Sequence, residues 1–126
     1  MGKTRVLVVD DSPFVHKLVA KALPVDSYEV CGIAKNGKEA LEMYAKLVPD
    51  VVTMDITMPV MNGLDASREL LEKDKKTKII MLTSRGDKEC IQKAKDIGID
   101  IFLQKPFEAD ELLRAIDVIC KGMRES

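Results

Sequence analysis

The chain has 126 residues, with 20 basic and 21 acidic side chains, a formal net charge of −1 and 46% hydrophobic residues. That length holds one domain, burying roughly two-thirds of its unfolded surface around a single core. The charge balance excludes a nucleic-acid binder, which would carry a basic excess, and the apolar share excludes a disordered acidic chain.

Five short apolar runs alternate with helix-period stretches along the chain. The first run is Val6-Leu7-Val8-Val9. After it, Ser12 is placed to cap a helix and Pro13 to occupy its first position, where no N–H is needed. Val15, Leu18, Val19, Ala22 and Leu23 then mark that helix's apolar face. The second run, Val30 to Ala34, precedes Asn36-Gly37-Lys38-Glu39, a capping-box arrangement, and a face of Ala40, Leu41, Tyr44, Leu47 and Val48. The third run, Val51 to Met54, is followed by a helix starting near Gly63 and burying Leu64, Leu70 and Leu71. Ile79 to Leu82 is the fourth run. Its helix carries Cys90, Ile91, Ala94 and Ile97 and stops at Gly98. The fifth run, Ile101-Phe102-Leu103, leads into a last helix that buries Leu112, Leu113, Ile116, Ile119 and Cys120. Runs this apolar read as parallel strands covered on both faces. The expected class is therefore α/β, a doubly wound parallel sheet of five βα units.

No apolar run approaches the roughly 18 residues of a membrane span. The N-terminal residues lack a signal peptide's apolar stretch, and Val6 stands where myristoylation needs Ser or Thr. Cys31, Cys90 and Cys120 are odd in number and far apart. They make neither a disulfide framework nor a zinc site, and are expected as small buried residues in a reduced compartment. A cytoplasmic location follows as the expectation.

Ligands of open α/β sheets bind outside the carboxyl ends of the strands. At those ends stand Asp10 and Asp11 after the first strand, Asp55 after the third, Thr83 and Ser84 after the fourth, and Lys105-Pro106 after the fifth. Three carboxylates in one crevice repel one another unless a cation joins them, and a hard divalent cation such as Mg2+ fits oxygen ligands of this kind. A carboxylate is also a competent phosphoryl acceptor. Phosphoryl transfer needs positive charge and donors around the equatorial oxygens, which Lys105 and the Thr83 hydroxyl supply. His16, the sole histidine, reads as a surface residue on the polar side of the first helix. Met54, Met58, Met61 and Met81 read as core and loop filler.

Four segments carry a resemblance: Val8-Val9-Asp10-Asp11-Ser12, the stretch Thr53-Met54-Asp55-Ile56-Thr57-Met58-Pro59 with Met61 and Gly63, Met81-Leu82-Thr83-Ser84, and Lys105-Pro106-Phe107. In order and spacing they resemble the receiver domain of two-component response regulators, and most nearly the CheY-type stand-alone chemotaxis receivers. The resemblance spans residues 4–121, leaving 122–126 as an expected frayed tail. It implies a flavodoxin-like fold with strand order 2-1-3-4-5. It also implies Asp55 as phosphoacceptor and a Mg2+ site (Mn2+ as substitute) made by Asp10, Asp11, Asp55 and the Thr57 backbone carbonyl. Lys105 would pair with the phosphoryl group and Thr83 would swing to hydrogen-bond it. Phe102, at a position often Tyr in the family, would turn inward with Thr83, and Pro106 would follow a cis peptide. Thr57 and Arg85 occupy positions that members of the family use to set phosphoryl lifetime, and Asn62 stands where the family commonly has an acidic loop residue.

The implied activity is a phosphorylation-activated switch that catalyses only its own phosphotransfer and dephosphorylation. The implied partners are an upstream histidine kinase of the CheA type and a downstream target, such as the flagellar switch or another phosphorelay protein. That target would be met on the face of the fourth helix, fifth strand and fifth helix, with the receiver a monomer. Because the motifs use the whole chain, output is expected as a changed binding surface. Two readings within the family compete with a chemotaxis regulator, a phosphorelay intermediate and an excised receiver of a larger regulator. A haloacid-dehalogenase-type phosphatase is the remote rival. It needs a second Asp two residues after its nucleophile, where this chain has Thr57. A flavodoxin-like carrier would need a phosphate loop in place of Asp-Asp-Ser-Pro, and aromatics for the flavin.

Overall fold

Strands apolar at every position need cover on both sides, and that requirement sets the architecture. The computed structural model describes residues 2–84 and 86–125, with side chains described through residue 121, so Arg85 lies outside the described residues. The elements are β1 (Thr4–Val9), α1 (Pro13–Ala22), β2 (Tyr28–Ala34), α2 (Gly37–Leu47), β3 (Val51–Asp55), α3 (Gly63–Lys73), β4 (Ile79–Thr83), α4 (Lys88–Asp96), β5 (Ile101–Gln104) and α5 (Ala109–Glu125). The strands form one parallel sheet in the order β2-β1-β3-β4-β5. The backbone of α5 continues past the boundary drawn at 121, while the side chains of the expected tail, 122–126, lie outside the described residues.

Alternate residues of the strands feed two cores. Val6, Val8, Val51, Ile80, Leu82 and Leu103 pack with α1 and α5, through Val15, Val19, Leu112 and Ile116. Leu7, Val9, Val52, Met54, Ile79 and Met81 pack with α2, α3 and α4, through Ala40, Leu64, Leu70 and Ala94. Every residue of β3 and β4 is buried. Removing that much apolar surface from water, at about 25 cal/mol per Å2, is the main favourable contribution to folding.

The expected caps form. Ser12 accepts from the Val15 amide at 3.4 Å with Pro13 at the helix start, and Asn36 accepts from the Glu39 amide at 2.9 Å. Glu39 reaches back to the Lys35 amide, one residue before the cap. Gly98, at φ 105, follows the end of α4. Met54, Met58 and Met81 are buried in the α2–α3–α4 core, with Met61 against it.

Two expectations need correction. Val48 is not on the inner face of α2. It caps that helix in the left-handed region, φ 45, and lies 66% exposed, because the chain must leave the helix there to enter β3. The cysteines are free, but only Cys120 is buried, while Cys31 and Cys90 are intermediate. The Cys31 thiol donates to the Val6 carbonyl, and burial pushes its pKa up.

Candidate functional site

The chain winds from β1 outward to β2, then crosses back to β3 on the other side of β1. A crevice opens where that order reverses. The register pairs Val9 with Met54, so Asp10 and Asp55 leave neighbouring strands side by side. Asp10 is fully buried, Asp55 is 6% exposed and Asp11 is exposed. One carboxylate oxygen from each of Asp10, Asp11 and Asp55 lies within 4.8 Å of the others.

Lys105, at the end of β5, closes the crevice. Its Nζ lies 2.7 Å from Asp10 Oδ2 and 3.3 Å from Asp55 Oδ1. The Lys105 amide donates to the Thr83 carbonyl at 2.7 Å, and the Lys105-Pro106 peptide is cis. Thr83 is buried at the end of β4, where its hydroxyl donates to the Leu103 carbonyl at 3.3 Å. Phe102, half-buried on β5, packs against the α2–α3–α4 core, and Lys95 Nζ lies 6.0 Å from its ring centre. Thr57 is exposed in the loop after β3. The fold thus gathers Asp10, Asp11, Asp55, Lys105 and Thr83 at one end of the sheet, with Phe102 earlier on β5, the strand that delivers Lys105.

The electrostatics show a shortage of positive charge. Burial pushes the Asp55 carboxyl up to about 6, and the neighbouring Asp10 charge adds to the rise. Lys105 opposes both by its charge and hydrogen bond, and Asp11 raises Asp55 further. Burial alone would lower the Lys105 pKa, but the hydrogen bond and charge of Asp10, followed by Asp55, hold it above the ordinary value. Among the described residues, Lys105 pairs with Asp10 and Asp55 while Asp11 has no ion pair, which leaves room for a second cation, and an all-oxygen donor set suits a hard divalent one.

Three features of the crevice escape the sequence reading. The Asp10 carboxylate also accepts from the Ser12 amide at 2.9 Å. Gly63, which opens α3, lies so close to β3 that a Cβ there would sit 1.9 Å from the Asp55 carbonyl oxygen. His16 is not a surface residue. It is half-buried, and its Nε2 lies 2.5 Å from the Asp10 carbonyl oxygen. That carbonyl turns back toward α1, and no residue-type pattern announces such a contact.

Residues 6–117 match the family described as response regulator receiver domain. The chain is a response regulator receiver domain. This receiver is 42% identical to the chemotaxis protein CheY of Thermotoga maritima over 121 residues, covering 96% of this chain and 100% of that one. It is 40% identical to the chemotaxis protein CheY of Bacillus subtilis, covering 90% and 94%. Among solved structures it is similar to CheY in a CheX–CheY–BeF3–Mg2+ complex from Borrelia burgdorferi, with TM-score 0.84, 29% identity and coverage of 91% and 87%. The receiver is therefore a signalling protein homologous to CheY chemotaxis regulators, with the fold and acidic pocket of a phosphorylation-activated two-component switch. Among the described residues, no helix is long and apolar enough to cross a membrane.

Proposed function

We propose that Asp55 of this receiver accepts a phosphoryl group from a histidine kinase and that the resulting change in surface transmits a chemotaxis signal in the cytoplasm. The observation that carries this reading is the convergence of Asp55 with Lys105, two further carboxylates and the Thr83 hydroxyl at the switch point of the sheet. Asp10, Asp11, Asp55 and the Thr57 carbonyl would hold Mg2+ (or Mn2+), which would supply charge neutralisation of the transferring phosphoryl oxygens when bound. The Mg2+ named in the Borrelia complex supports that choice.

In the reaction an Asp55 carboxylate oxygen forms a bond to phosphorus while the donor's P–N bond breaks, its electron pair staying with the imidazole. Lys105 shifts from its pairing with Asp55 to the phosphoryl oxygens. The Thr83 hydroxyl leaves the Leu103 carbonyl to donate to another of them. Its movement opens room for Phe102 to turn inward, and the α4–β5–α5 face of the unit 4–121 then favours its target. The flagellar switch is the target of choice in a chemotaxis regulator, met by a monomeric receiver.

Incubation with a small-molecule phosphodonor and Mg2+ is expected to give a base-labile mass gain that Asp55→Asn abolishes. Labelling of that variant at the same position would refute the assignment. Phe102→Ala is expected to uncouple partner binding from phosphorylation, and equal binding changes in the variant and the parent would remove Phe102 from the switch.

A further inference from the structure

Asp10 is held at each of its hydrogen-bonding groups. Its amide donates to the Ala34 carbonyl at 2.9 Å. Its carboxylate accepts from the Ser12 amide at 2.9 Å and from Lys105 at 2.7 Å. Its carbonyl oxygen meets His16 Nε2 at 2.5 Å. Asp11 is the opposite case. It is exposed, and among the described residues its side chain makes no hydrogen bond or ion pair, although it faces the Asp55 charge. The Cα–Cβ bond from which the Asp11 carboxylate reaches the crevice is therefore set by the backbone, and so by the peptide that joins Asp11 to Asp10. The oxygen of that peptide is the one His16 holds.

We infer that His16 is a positioning residue for the acidic crevice, fixing the Asp10–Asp11 peptide so that the Asp11 carboxylate stands with those of Asp10 and Asp55. A carbonyl oxygen only accepts, so Nε2 carries the hydrogen and donates it. The ring sits in the first half of α1, whose start is set by Ser12 and Pro13, so the helix serves as the rigid support. Groups that orient ligands in this way commonly change metal affinity by about 10-fold or more when removed. The link to Mg2+ rests on the function proposed above, whereas the link to the peptide does not.

Two measurements on the full chain separate these links. The first is made in EDTA, following hydrogen exchange at the Ser12 amide, which Asp10 accepts, by NMR. His16→Leu is expected to speed exchange there at least several-fold while leaving the β3 and β4 amides unchanged, and His16→Gln, which offers a donor at similar reach, is expected to restore protection. The second is Mg2+ affinity of the unphosphorylated protein by calorimetry, expected to weaken about 10-fold in His16→Leu and to recover in His16→Gln. Unchanged exchange at Ser12 in His16→Leu overturns the positioning role. So does a loss of protection spread evenly over the sheet, which marks His16 as a general stability residue. If the parent protein takes up no Mg2+, the metal site proposed above fails, and the exchange data still decide the role of His16.

Discussion

Helices α2 and α3, beside the acidic crevice, each begin with an asparagine whose side chain accepts a backbone N–H at 2.9 Å. Helix α4, across β4, begins at Asp87 with no such bond, and the Asp87 carboxylate instead accepts from the Ser84 amide. The burial follows the same division. Helix α3 buries Gly63, Leu64, Ala66, Ser67 and Leu70, while α4 buries Ala94. Strand β3 is buried throughout, while β5 buries Leu103 and leaves Ile101 and Phe102 partly open. The part around β3 is thus tied down, whereas α4 and β5, two of the three elements proposed to answer the reacting groups, are tied loosely. Segments with few buried apolar contacts open at low free-energy cost, which a two-state surface requires.

Six substitutions, grouped in four tests, probe this contrast. Lys105→Met removes the ammonium that faces Asp10 and Asp55 while keeping most of the stem. Near pH 7 without metal it is expected to cost about 3 kcal/mol in urea unfolding, because buried carboxylates lose their partner. The loss should shrink toward pH 5 as Asp55 takes up a proton. In a paired comparison, Leu70→Ala on α3 is expected to cost about 3 kcal/mol, whereas Ile91→Ala on α4, only partly buried, should cost about 1 kcal/mol or less. Equal losses would remove the distinction between the two helices.

The third test is Asp55→Asn. The folded Asp55 titrates near 6 against an ordinary 3.8, so between those values the folded state binds more protons than the unfolded one. Stability therefore falls as pH rises through that window, and the deficit persists above it. Asp55→Asn should raise metal-free stability at pH 7 by about 1–2 kcal/mol and flatten the unfolding profile between pH 4 and 6. The smallest effect separates the helix starts. Asn62→Ala should cost about 1 kcal/mol, and Asp87→Ala only a few tenths, since the Asp87 side chain caps no helix amide.

Much of this is legible in the sequence, because hydrocarbon patterning and caps are local. Ser12 with Pro13, Asn36 with Glu39, and the short runs rich in Val, Ile, Leu and Met in β1, β3 and β4 each announce their element. Asp10, Asp11, Asp55, Thr83 and Lys105 could be gathered in advance because a parallel sheet delivers every strand's carboxyl end to one edge. What stayed hidden depends on direction rather than residue type. The bond from Thr83 to Leu103, the approach of α3 at Gly63 and the turn of the Asp10 carbonyl toward His16 arise only once elements pack. Val48 misled for a related reason. Its apolar side chain fits the helical period, but the chain has to reverse there, and the exit into β3 decided its conformation.

Lys105 reaches Asp10 from 95 residues further along the chain. A chain growing from its N-terminus therefore makes all three acids long before the ammonium that balances them. Until β5 docks, any partly folded form holds a cluster of negative charge with nothing opposite it, and the crevice stays incomplete. On the function proposed above, a complete acceptor site therefore reports that β5 has docked.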